Sequence, residues 1–342
     1  LKHQPAYNRI LSSSINRIHR VIVVTITIVL DREPTADFQA KCLEITYQWE
    51  GGKLPYPEAR QRLATLAHDA SLRGHLADQG RVEQVIGYME VVRGNLNVSI
   101  HHFERARAAY HQVQNTNRAA ICDMNIGDSY RNKGDFKRAL TLYGKAFEAF
   151  KAEKDIENQA FALTYRGQAW LSMDRLDTAQ TDLVAGLALA EQIPANTDDR
   201  SLLLCEVNLA LTRLYIKRER YGMAWEAAIR AYDVAQKSPQ AFEKGYSNRA
   251  LAEIISVSPV PPMDRRFAND ANVYFQAAND AFMEIHAEGE IARTMYAHAL
   301  SLARSGRKMA AARKLQLAMI IFTRLGMVDD AARAAEMQLE VL

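Results

Sequence analysis

"MNIGDSYRNKGDFKRALTLYGKAFEAF", residues 124–150, decides the fold. Within it Gly127 is followed by an aromatic, Tyr130, then by a Lys-Gly-Asp turn at 133–135, and then by Phe136, Ala139, Tyr143 and Ala146. The same order of small and large residues returns on both sides. Gly87, Gly127 and Gly167 stand 40 apart; Ser99, Ala139 and Ala179 follow them by twelve, and Ala106, Ala146 and Gly186 by a further seven. A period of this length over three successive units marks a stack of similar supersecondary pieces rather than one compact core.

The spacing predicts two helices per unit. Antiparallel helices approach closely only where their facing residues lack bulk, and that is where the small residues recur. Larger residues fill the remaining space: Tyr130, Trp170 and Tyr215 end the first helices, Phe136, Leu176 and Tyr221 open the second, and Phe103, Tyr143 and Leu183 lie further along. The turns "RGNL", "KGDF" and "MDRL" at 93–96, 133–136 and 173–176 carry Gly or Asp, which accommodate a helix stop. Looser copies run through Tyr47, Tyr56 and Ala59 on one side, and through Ala224, Ala231, Ala299, Gly306, Ala311 and Ala318 on the other. About seven units fit between 36 and 327, and residues 328–342 read as an amphipathic capping helix with Ala331, Ala334, Ala335 and Leu339 on its apolar side.

This order of small, aromatic and small landmarks resembles the tetratricopeptide repeat, most closely from Gly87 to Ala188. The unit of about 40 residues, rather than the usual 34, is similar to the longer variant of bacterial signalling regulators, Pins-type scaffolds and kinesin light chains. The resemblance implies an all-α fold: a right-handed α-solenoid of about seven antiparallel hairpins, with a concave groove lined by the first helix of each.

Composition agrees with a helical chain and removes several functions. Nine Pro and sixteen Gly are few for 342 residues. Lys and Arg number 43 against 40 Asp and Glu, so the net charge of +3 names no partner and supplies no overall basic stripe for nucleic acid. No apolar run approaches the 20 residues needed to span a bilayer. Phosphate-binding loops, dinucleotide fingerprints, HExxH, GxSxG and calcium loops are all missing. Cys42, Cys122 and Cys205 lie 80 and 83 residues apart, and the adjacent His101 and His102 point apart on a helix, so neither set forms a metal site. The expectation is a cytoplasmic protein without catalytic residues, metal or cofactor.

Two segments break the period. In residues 1–35, ahead of the repeats, nine of the ten positions from Val21 to Leu30 are β-branched, which favours a strand. Three readings stand: the tail of an upstream domain, a strand donated to another chain for self-association, or a helix imposed by packing on the first repeat. The start at Leu1 suits a piece of a larger signalling polypeptide. The second break is "SVSPVPPMDRR" at 256–266, where Pro259, Pro261 and Pro262 insert roughly seven residues between two helices.

Function belongs on the concave face. Projecting the inward positions of each first helix gives Gln84 and Tyr88; Asn125, Asp128, Arg131 and Asn132; Thr164 and Gln168; Arg213 and Lys217; Tyr246, Arg249 and Glu253; and Arg293, Tyr296 and Arg304. The arginines predict a locally cationic surface suited to an acidic peptide or helix. Asn125, before Ile126 and Gly127, resembles the peptide-gripping asparagine of the longer-repeat scaffolds, although Val85, Tyr165 and Ala210 do not continue a ladder. The functional expectation is a regulatory or scaffold module that binds a protein segment. The alternatives are an effector-sensing domain of a bacterial regulator and a structural subunit that assembles through Val21–Leu30 and open solenoid ends.

Overall fold

The structure, a computed structural model, describes residues 32–195, 197–238, 240–262 and 264–341. The β-branched stretch Val21–Leu30 and the helical spacing before it lie outside these residues. Among the described residues the regular structure is fifteen α-helices. They are α1 (Ala36–Glu50), α2 (Tyr56–Arg73), α3 (Leu76–Val92), α4 (Leu96–Gln112), α5 (Thr116–Asn132), α6 (Phe136–Ala152), α7 (Ile156–Ser172) and α8 (Leu176–Gln192). The chain continues through α9 (Asp198–Lys217), α10 (Tyr221–Ala235), α11 (Ala241–Ile255), α12 (Ala271–Glu284), α13 (Glu288–Arg304), α14 (Lys308–Leu325) and α15 (Val328–Val341). Odd and even helices pair in order as seven hairpins, and α15 packs on the last.

The 40-residue pattern works through one contact repeated along the array. A Cβ added to Gly87 would lie 2.7 Å from the Phe103 ring, one on Gly127 2.9 Å from Tyr143, and one on Gly167 2.6 Å from Leu183. Each large residue of a second helix thus presses on the bare backbone of its first helix, and Ser99, Ala106, Ala139, Ala146 and Ala179 are buried beside it. Helix ends follow the sequence as well. Asn115, Asp135 and Asp155 cap α5, α6 and α7 by accepting the amide three residues on. The three-residue turns close with Asp135 N–H to Tyr130 O and Arg175 N–H to Trp170 O, both 2.9 Å, and their central residue takes positive φ whether it is Gly134 or Asp174.

The proline segment lengthens one hairpin. Gly80 faces Tyr110, thirty residues on, whereas Gly245, at the same register of α11, faces Phe282, thirty-seven residues on. The connection folds back onto α10, where Trp225 Nε1 donates to Ser258 Oγ at 3.2 Å and Arg266 pairs with Asp233 at 2.7 Å.

Units distant in sequence also meet, so the concave face is closed in. The apolar core of α1, α2 and α3 continues into Ala241, Ala278, Phe282, Ile285 and Ala287. Leu96 packs with Phe322, Leu325 and Met327. A Cβ on Gly94 would sit 2.5 Å from Leu325 Cδ1, and one on Gly134 2.6 Å from Asp329 Cβ; both glycines also have positive φ, so a side chain is excluded twice over. Arg293 Nη2 donates to Asn132 Oδ1 at 2.8 Å across 161 residues. The expected open groove is therefore a channel, with the tips of the second and third hairpins against α14 and α15.

Two glycines on this frame separate close packing from helix propensity. Gly87→Ala drives a methyl into Phe103 and is expected to destabilise by about 1 kcal/mol net, overpacking exceeding the gain in helix propensity. Gly144→Ala meets nothing within 4 Å and is expected to stabilise by about 0.5–1 kcal/mol. Urea denaturation of the two variants reads the opposite signs; equal shifts would defeat the close-packing account.

Candidate functional site

The channel holds two adjoining cavities, of about 450 Å³ and 160 Å³. The larger is walled by the inward faces of α5, α7, α9, α11 and α13 and is closed by Asp329, Asp330 and Arg333 of α15. The smaller lies between α3, α5, α9, α11 and the start of α13. Arg131, Asn132, Glu206, Tyr246, Glu290 and Arg293 line both and form the partition between them.

Of the sixteen inward residues projected from the sequence, fourteen line one cavity or the other. Gln168, Arg213, Lys217, Arg249, Tyr296 and Arg304 face the larger; Tyr88, Asn125 and Asp128 face the smaller; Arg131, Asn132, Tyr246 and Arg293 face both. Glu253 also lines the larger. Gln84 and Thr164 line neither: Gln84 is buried beside the Tyr110 hydroxyl, and Thr164 donates to Ala160 O at 2.8 Å beneath Gly186.

Internal pairing offsets much of the cationic character expected of this surface. Seven cationic side chains line the larger cavity, but five carboxylates stand among them, Glu206, Glu253, Glu290, Asp329 and Asp330. Pairing runs between neighbouring units, at equivalent positions for Arg213 and Glu253 and out of register, across the seven-residue insertion, for Arg249 and Glu290. Arg213 grips Glu253 through two bonds of 2.8 and 2.6 Å, and Lys217 reaches Asp174 at 2.7 Å. Arg249 is bound to Glu290, whose other oxygen accepts from Arg293 at 2.8 Å, and Arg293 also pairs with Asp330 at 3.0 Å. Arg131 is held by Asp128 on its own helix. Burial alone would raise the Glu290 carboxyl, but Arg249 and Arg293 override it and hold the group well below the usual carboxylate range. Among the described residues Arg304 has no carboxylate partner and is exposed.

Arg249 is also displaced from its expected role. It is 1% exposed, with Nη1 donating at 3.2 Å to both Glu290 O and Thr294 Oγ1, and its guanidinium lies 5.2 Å from the Phe282 ring and 5.5 Å from that of Tyr246. It is part of the wall.

Glu206 stands apart from these pairs. Its Oε2 is sealed in without a hydrogen bond. Burial, and then the nearby Asp128, push its pKa up to about 8, against the pull of Arg131 and the Tyr165 hydroxyl. Sequence reasoning passed over this residue, yet Glu206, Tyr246 and Arg293 occupy the same register of successive first helices once the seven-residue insertion is removed. Glu290, Asp330, Leu202, Phe242 and Met327 were missed as well; the last two come from a helix start and a turn, which projection along the helix middles does not reach.

Among the described residues there is no helix long and apolar enough to cross a membrane and no cluster of side chains able to hold a metal ion. No protein-family model matches the chain, and no curated protein matches it. Solved structures do. The apo form of RapI superposes with a TM-score of 0.60 at 12% identity, covering 84% of this chain and 98% of its own. A Rap protein complexed with competence and sporulation factor gives 0.53 at 12% identity, over 98% and 94%. The Rap conjugation gene regulator of plasmid pLS20, in complex with the Phr* peptide, gives 0.51 at 12% identity, over 79% and 77%. At these identities the likeness is one of fold, and it makes the chain an all-helical, tetratricopeptide-like repeat array with the architecture of the Rap proteins.

Proposed function

We propose that the channel receives a short peptide and that the chain is a peptide-binding regulatory module without catalytic activity of its own. The observation that carries this reading is the 450 Å³ cavity, whose wall presents polar side chains from five successive first helices and α15. That volume lies in the range of ligand sites, and donors and acceptors arriving from many helices suit the regularly spaced amides and carbonyls of an extended chain. Two of the similar folds were solved with a bound factor or peptide, which supports the same reading. An acidic group on the peptide meets Arg304 and also Lys217, which exchanges its exposed partner Asp174 for it; the two occupy the same register at the ends of α13 and α9, and the remaining arginines are held by internal carboxylates. We read the array further as the forty-residue repeat variant wound right-handedly over 36–327, with 328–342 as its cap.

The test is selection from a random hexapeptide pool followed by mass spectrometry of what the protein retains. Retained peptides are expected to carry an acidic residue near one end, and Lys217→Glu with Arg304→Glu is expected to weaken their binding about tenfold, as for the loss of one or two partly screened charge contacts. Failure of the wild-type protein to retain any peptide would remove the proposal.

A further inference from the structure

The partition divides the channel into unlike halves. On the side of the larger cavity twelve charged side chains, most of them paired, stand among the apolar lining. On the other side Tyr88, Val91, Phe103, Leu202, Phe242 and Met327 enclose the 160 Å³ cavity. Polar groups enter this second space from Asn125 and Asp128 and from the partition, where Arg131, Asn132, Glu206, Glu290 and Arg293 stand. Its size is informative, because an apolar protein cavity of about 150 Å³ admits one benzene ring. A phenyl, leucyl or methionyl side chain fits such a space, and an indole overfills it.

Glu206 gives the cavity a direction. It lines both spaces, and its Oε2 is buried without a hydrogen bond although Asp128, Arg131 and Tyr165 surround it. A buried polar atom left unpaired is costly. A peptide lying across the partition would bring a backbone amide or carbonyl to that oxygen while the neighbouring side chain enters the apolar space.

We propose that the smaller cavity is the anchor subsite of the bound peptide: it takes one phenylalanine-, leucine- or methionine-sized side chain, and Glu206 Oε2 hydrogen-bonds to the peptide backbone beside it. The inference rests on the peptide-binding reading of the channel and adds the identity of the residue that the ligand must carry. Burying one such side chain corresponds to about a ten- to hundredfold gain in affinity over glycine.

Gly289 supplies the test. It lines the cavity, and a Cβ there meets Met327 Sδ at 3.4 Å and nothing nearer, so Gly289→Leu fills the space from an unstrained position. Wild-type protein and this variant, matched for helix content, are each incubated with the random hexapeptide pool, and the retained sequences are compared. Leu202→Phe fills the same cavity from α9 and replaces the first variant should that one lose its fold. The proposal expects wild-type peptides enriched at least tenfold in Phe, Leu or Met at one position, and variant-bound peptides without that enrichment. Wild-type peptides with no apolar preference, or an enrichment that survives filling, would overturn the subsite and leave the peptide-binding reading standing. Retention of no peptide by the wild-type protein would overturn both.

Discussion

Arg249→Met is expected to destabilise the protein by about 3–5 kcal/mol, the cost of removing one partner from a buried ion pair. Methionine nearly matches the length of the arginine stem, so the space between the Tyr246 and Phe282 rings stays filled. What is lost is the charge. Glu290 keeps Arg293, at 2.8 Å, but loses the guanidinium that also satisfied its backbone carbonyl and Thr294. Because Arg249 joins α11 to α13 where the first and last units meet, the damage falls on the closure of the channel as well as on one hairpin. The comparison that isolates the charge is Arg249→Met with Glu290→Gln. Urea denaturation should show the double variant less destabilised than the sum of the singles by 2 kcal/mol or more, since removing both charges leaves no buried ion unpaired. Additive losses would mean that Arg249 acts through its packing alone. The contrast with Lys217 and Arg304 follows from exposure: reversal of those two leaves stability within about 0.5 kcal/mol and changes only what the channel holds.

The helices were legible because each unit repeats a packing requirement that only small residues meet, so Gly87, Gly127 and Gly167 announce their partners sixteen residues on. The insertion was legible for the same reason, since Pro259, Pro261 and Pro262 cannot continue a helix and displace the register by a fixed amount. Closure was not. The contacts of Gly94 with Leu325 and of Asn132 with Arg293 join positions that share no period, and they depend on the accumulated rotation of every hairpin between them. The lining of the site was legible by projection along the first helices, but its electrostatics were not. Arg213 and Glu253 are 40 apart, Arg249 and Glu290 are 41 apart, and each pair cancels across neighbouring units. Summing arginines along the groove therefore overstates its positive charge, because carboxylates on the neighbouring first helices face them.

Glu206→Gln is expected to remove a loss of stability that the wild-type protein suffers as pH rises. The Glu206 carboxyl titrates near its ordinary value in the unfolded chain and at about 8 in the fold. Between those values the native state holds a proton that the unfolded state has released, so stability falls as pH rises through that window. Below the unfolded value both states are protonated and no penalty remains. The groups facing the carboxyl are Asp128 and Arg131 on α5, Tyr143 on α6, Tyr165 on α7, Tyr246 on α11 and Glu290 on α13. The three tyrosines are raised above their ordinary range by burial, and Glu290 is lowered by Arg249 and Arg293, so these four move away from the window. The dependence should thus belong to one residue. Glutamine copies the shape of the protonated acid and cannot ionise, so it keeps the low-pH state at every pH. Denaturant unfolding at pH 5, 7 and 9 should show the wild-type protein losing on the order of 3 kcal/mol across the series relative to Glu206→Gln. His298, which burial lowers to about 4, acts in the opposite sense up to its unfolded value and so overlaps the acid end of this range, but it does so equally in both proteins and cancels from their difference. Parallel curves for the two proteins would show that Glu206 ionises freely in the fold, and would place water or another donor at the oxygen that is sealed here.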